Sequence, residues 1–229
     1  MDKQTARTMN AGNDQEHSPA GNGRLRELIL TMGDLVDTAI SEATLGLVSR
    51  NPALCNKVVG DDHQVNELQR EAGELCFRTL QSGHSASVGL REVLGYLHMA
   101  SELERMGDHC VNIARIGRTL ADFPDLHPAV DIPLMAEYCA AQVRDMLGAL
   151  VARDIGRARE VAARDDKVDR VYHRLLDDIL QLMAEDSTTV FRGTNYILVA
   201  HNLERIADRV TNLAEDLVFM ETGEIQELG

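Results

Sequence analysis

The chain has 229 residues and a net charge of −14, so a phosphate backbone would be repelled over most of its surface and no nucleic-acid partner is expected. Hydrophobic residues make up 44% of the chain and aromatic residues 3%, with no Trp. That composition supports a core of Leu, Val, Ile, Ala and Met in packed helices and argues against a β-sandwich.

Residues 1–22 are polar, rich in Asn, Gly, Asp and Gln, and read as a disordered tail. The Gly21-Asn22-Gly23 stretch is not a phosphate-binding fingerprint, because no strand precedes it. A first helical segment runs from Leu25 to Arg50. Asn51-Pro52 reads as an N-cap and first-turn proline opening a second segment, to Leu80. Gln81 to Ala86 forms a loop, and a third segment runs from Ser87 to Ala121. Asp122 to His127, with Pro124, separates two halves. A fourth segment covers Pro128 to Arg153, Asp154 caps a fifth that reaches Ala184, and Asp186-Ser187 cap a sixth that ends before Thr222-Gly223. No apolar run approaches the roughly 18 residues of a spanning helix, and the N-terminus lacks the apolar stretch of a signal peptide. Cys55, Cys76, Cys110 and Cys139 form no CxxC pair and read as reduced in a cytoplasmic protein, with Cys76, Cys110 and Cys139 in apolar slots as small hydrophobes.

The third and sixth segments repeat one another. Residues 96–114 read YLHMASELERMGDHCVNIA and residues 196–214 read YILVAHNLERIADRVTNLA. Tyr96, Ala100, Leu103, Glu104, Arg105, Asp108, Asn112 and Ala114 all recur 100 residues later. Residues 32–66 also align with 135–169 at an offset of 103, through Met32/Met135, Arg50/Arg153, Val58/Val161, Asp62/Asp165 and Val65/Val168. The offset changes between the second and third segments, where a loop tolerates an insertion. The expected fold is all-α: two tandem, pseudo-symmetric three-helix bundles of six long antiparallel helices, over residues 23–122 and 123–229.

Apolar periodicity explains the repeated Leu and Ala but not the repeated Glu, Asp and Asn. Residues four apart share a helix face, so Glu104, Asp108 and Asn112 form one row and Glu204, Asp208 and Asn212 another. Helical arithmetic sets these rows about 120–160° from the apolar stripe, which points them outward. Carboxylates four apart repel unless a cation bridges them, and oxygen ligands suit Mg²⁺, Mn²⁺, Ca²⁺ or iron. Partner rows come from the second helices: Asp62 and Asn66 in the first half, Asp165 and Asp169 in the second. A solvated acidic face is the alternative. Arg105 and Arg205 are expected to bridge to neighbouring helices, Tyr96 and Tyr196 to pack at bundle edges, and Gly107 to permit a close helix contact. No Ser/His/Asp or Cys/His constellation is present, and no ExxH pair of the di-iron enzymes.

The motif ERMGDHCVNIA and its partner ERIADRVTNLAEDLVFMETGE resemble the PhoU family of phosphate-signalling proteins, over Leu25 to Gly223. The resemblance implies a non-enzymatic negative regulator of phosphate uptake. It would act between the ATPase of the phosphate ABC transporter and a histidine kinase, without a membrane span of its own, and as a homodimer. It also implies metal clusters at Glu104, Asp108, Glu204 and Asp208, with the second-helix rows as further ligands and the ion left open among iron, zinc, manganese and magnesium. Ala207 replaces the usual Gly of the motif, and Arg209 stands where the first half has His109, so the two sites are expected to be unequal, with Arg209 weakening the second. A metal-storage or metal-dependent enzymatic protein on the same carboxylates, and a helical scaffold without metal, remain the alternatives.

Overall fold

The computed structural model describes residues 20–81, 87–126 and 130–229; of the tail expected over residues 1–22, residues 1–19 lie outside the described residues and 20–22 are helical, as the start of the first helix. Seven α-helices follow in order: α1 Ala20–Val48, α2 Pro52–Gln81, α3 Ser87–Leu120, α4 Ile132–Ala152, α5 Ile155–Ala162, α6 Asp165–Glu185 and α7 Val190–Thr222, with one 3₁₀ turn at Ser187–Thr189. No strand occurs among the described residues. The first bundle is α1–α3 and the second is α4–α7, with α5 and α6 together taking the place of α2.

Local chemistry sets several helix ends where the sequence places them. The Asn51 Oδ1 accepts from the amides of Ala53 and Leu54, which closes the first turn of α2 ahead of the missing Pro52 donor. Asp131 caps α4 and Asp154 caps α5 in the same way. The repeated Arg50 and Arg153 close α1 and α4 in the left-handed region, at φ 51° and 54°. In both turns the next amide reaches back five residues, Asn51 to Gly46 and Asp154 to Ala149, the bond that satisfies a helix's last carbonyls. Gly223, at φ 79°, ends α7.

Two expectations about the segments fail here. The fourth segment, expected from Pro128, is helical only from Ile132, with Val130 and Asp131 outside the helix and Asp131 capping it. The fifth segment is two helices rather than one, because the chain turns at Ala163–Arg164, where the Arg164 amide bonds to the Val161 carbonyl and that of Lys167 to the Arg164 carbonyl. No Pro or Gly marks the break. The Arg157 and Arg164 guanidiniums both close on Asp145 of α4, and Asp165 and Asp166 open α6 with acidic side chains in its first turn, where the helix dipole favours them.

The bundles share one core. Met32/Met135, Val36/Cys139, Ile40/Val143, Val58/Val161 and Val65/Val168, aligned in the sequence, are all buried in a single cluster spanning both halves. Helices α1 and α3 face α4 and α7, while α2 and α5–α6 lie on the outer sides. Across the seam α3 and α7 run antiparallel, as shown by the pairs His98–Asp216, Glu102–Asn212 and His109–Asn202. Glu102–Asn212 and Asn202–Asn112 are the same contact made twice, exchanged by a pseudo-two-fold midway along the helices. All four cysteines are buried and unpaired, and burial pushes the Cys76 thiol up to about 11, which leaves it inert.

Candidate functional site

The site begins with the second and third helices of each bundle lying side by side. Gly107 allows the approach in the first bundle: a β-carbon there would sit 3.1 Å from Oδ1 of Asp62. Ala207, fully buried, takes the matching place in the second. Asp62, Asn66, Glu104 and Asp108 then share one groove between α2 and α3, and Asp165, Asp169, Glu204 and Asp208 share the equivalent groove between α6 and α7.

Both grooves crowd negative charge. Burial raises the Asp62 carboxyl, with the Asp108 charge adding to it, while the Asn66 amide, 2.9 Å from Oδ2, pulls it back. Burial likewise raises Glu104, with Asp108 and Asp62 contributing. In the second groove the effect is larger: burial, then the charges of Asp169, Asp208 and Glu204, push Asp165 up to about 6. Burial also raises Glu204 and Asp208. The rows are thus more enclosed than an outward-facing stripe. The Glu204 side chain is 17% exposed and that of Asp208 32%.

Two atoms in the second groove stand out. Oδ1 of Asp165 and Oε2 of Glu204 are buried without a hydrogen-bond partner. Oε2 of Glu204 does lie within ion-pair range of His201 Nδ1, at 3.5 Å, and Arg205 Nε, at 3.4 Å, but without hydrogen-bond alignment, so both oxygens have acceptor capacity left over. Oxygen donors, crowded charge and unpartnered buried atoms together fit a hard cation. Among the described residues, however, no three His, Cys, Asp or Glu side chains converge closely enough to hold an ion as they stand. Holding one requires the facing side chains to rotate toward each other.

Asn112 and Asn212 do not join these grooves. Each i, i+4 step advances about 40° around a helix, so the third member of the row is carried about 80° from the first. Asn112 Nδ2 donates to Asn202 at 3.4 Å, and Asn212 Nδ2 donates to Glu102 at 2.7 Å, both in the seam between α3 and α7. The repetition of Asn therefore belongs to the bundle interface, and the repetition of Glu and Asp to the grooves.

The cations also differ from expectation. Arg105 and Arg205 pair within their own helices rather than with neighbours: Arg105 with Glu102 at 3.0 Å, Arg205 with Asp208 at 2.9 Å. Arg209 turns into the seam, 3.2 Å from Glu102, and acts on Asp208 only through space, while Arg205 makes the direct contact. The sequence reading passed over Glu102. It is 1% exposed and is held by Arg105, Arg209 and Asn212. Its spacing from Met99 and Met106 puts it on the apolar stripe, which was the available signal. Tyr96 is buried and Tyr196 half-buried, as packing residues. His173 turns back to the Asp169 carbonyl.

The chain matches the family profile described as "PhoU domain" twice, over residues 29–117 and 132–217, one match per bundle. It is similar to the "Phosphate-specific transport system accessory protein PhoU homolog" of Zymomonas mobilis subsp. mobilis, at 34% identity over 88% of this chain and 85% of that protein. A protein of the same description from Streptococcus pneumoniae serotype 4 is 30% identical over 89% of this chain and 94% of its own. Among solved structures, PhoU from Pseudomonas aeruginosa superposes with a TM-score of 0.86 at 28% identity, covering 90% of this chain and 99% of that one. With both bundles matched along nearly their full length, this chain belongs to the PhoU family.

Proposed function

We propose that this chain is an accessory regulator of phosphate-specific transport, a negative regulator that joins the transporter ATPase to a histidine kinase and carries metal on its two carboxylate grooves. The observation that carries the reading is the near full-length similarity to proteins named as accessory to the phosphate-specific transport system. The two grooves lie where α2 meets α3 and α6 meets α7, not in the α3–α7 seam. No helix among the described residues is long and apolar enough to cross a membrane, so contact with the transporter would come through a protein partner.

Asp62, Asn66, Glu104 and Asp108 would hold the first ion, and Asp165, Asp169, Glu204 and Asp208 the second. Bound cations would neutralise the crowded carboxylates and fix α2 to α3 and α6 to α7. Two measurements test the reading. Affinity purification from cells grown in high phosphate should recover the transporter ATPase or a histidine kinase. Deleting the gene should leave phosphate-uptake genes expressed in high phosphate, and unchanged repression would overturn the regulatory role.

A further inference from the structure

We infer that Arg205 is a resident counter-cation of the second groove, which an incoming metal ion must displace, so that the second groove loads after the first. This rests on the metal reading above. The Arg205 guanidinium places Nη1 2.9 Å from Oδ2 of Asp208 and Nε 3.4 Å from Oε2 of Glu204. It therefore touches a carboxylate from each end of the motif. Its side chain is 45% exposed, so it can swing into water at little cost in desolvation.

The identical Arg105 does not do this, and a single difference between the halves explains why. Position 102 is Glu, and position 202 is Asn. Buried Glu102 needs positive partners, and it draws Arg105 back by one turn, to 3.0 Å, together with Arg209 from α7. Asn202 is neutral. It accepts from Asn112, lies 2.9 Å from the His109 ring, and gives Arg205 nothing to pair with. Arg205 accordingly folds forward onto Glu204 and Asp208. In the first groove Arg105 and Arg115 act on Glu104 and Asp62 only through space, without a direct ion pair among the described residues. One residue in the seam thus decides which groove is occupied by the protein's own cation.

The test is Mn²⁺ titration of the metal-free full-length chain by calorimetry, comparing the wild type with Arg205→Gln and Arg105→Gln. Circular-dichroism melts would verify that each variant is folded. The wild type should show a tight and a weaker class of site, with Asp62→Asn removing the tight class and Asp165→Asn the weak one. Arg205→Gln should strengthen the weak class by about fivefold, the scale of a partly exposed ion pair, and Arg105→Gln should leave that class unchanged. A weak class that is identical in Arg205→Gln and wild type overturns this inference and leaves the metal reading standing. Absence of Mn²⁺ binding in every variant overturns both.

Discussion

Asp165 illustrates what the grooves demand of single residues. Burial and four neighbouring carboxylates push it from an ordinary 3.8 up to about 6. A carboxyl raised in the fold is stabilising when protonated. Its contribution is complete below about 3.8 and is lost as the pH climbs through about 6. At pH 7.5 the ionised, metal-free group is therefore a net cost. Asp165→Asn should raise the melting temperature of the metal-free protein at pH 7.5, with a gain of about 1–2 kcal/mol after solvent screening, and should have little effect at pH 3.5. Saturating Mn²⁺ should erase the difference in favour of the wild type. An equal shift at both pH values would mean that ionisation is not the cause. At this scale the four groove carboxylates repeated in the third helices were legible as a recurring pair. Glu102 was legible only as a polar residue on an apolar stripe, and two of its partners, Arg209 and Asn212, come from a helix more than 100 residues away.

The elements explain why the same motif behaves differently in its two copies. In the first bundle Asp62 lies in the middle of the unbroken α2; in the second Asp165 begins α6 after the turn at Ala163–Arg164. The sequence showed the capping residues Asn51 and Asp154, because a cap is a local bond to the next turn. It did not show the break, which depends on Arg157 and Arg164 reaching Asp145 on another helix. The seam helices α3 and α7 are joined through Glu102. Glu102→Ala would leave the part-buried Arg209 and Asn212 without their acceptor. It should destabilise the protein by about 3 kcal/mol, read from urea denaturation, with Glu102→Gln costing less because it still accepts from Asn212. Equal stability of Glu102→Ala and the wild type would show that this cluster does not hold the seam.

At the scale of the molecule the two bundles are not separable units. Their buried side chains form one cluster, and α1 packs on α4 as α3 packs on α7. Calorimetry should therefore record one cooperative unfolding transition whose calorimetric and van't Hoff enthalpies agree; two resolved transitions would show that each bundle folds on its own. By itself the sequence determined the helical segments apart from the break between α5 and α6, the caps at Asn51 and Asp154, the duplication and the carboxylate rows, because apolar period, capping and i, i+4 spacing act over a turn or two of chain. Tertiary structure alone decided that Asn112 and Asn212 serve the seam, that Arg209 pairs with Glu102 there and that Arg205 makes the direct contact in the second groove. Those choices follow from which buried group lies across an antiparallel helix pair, and for side chains about 100 residues apart no local period encodes that answer.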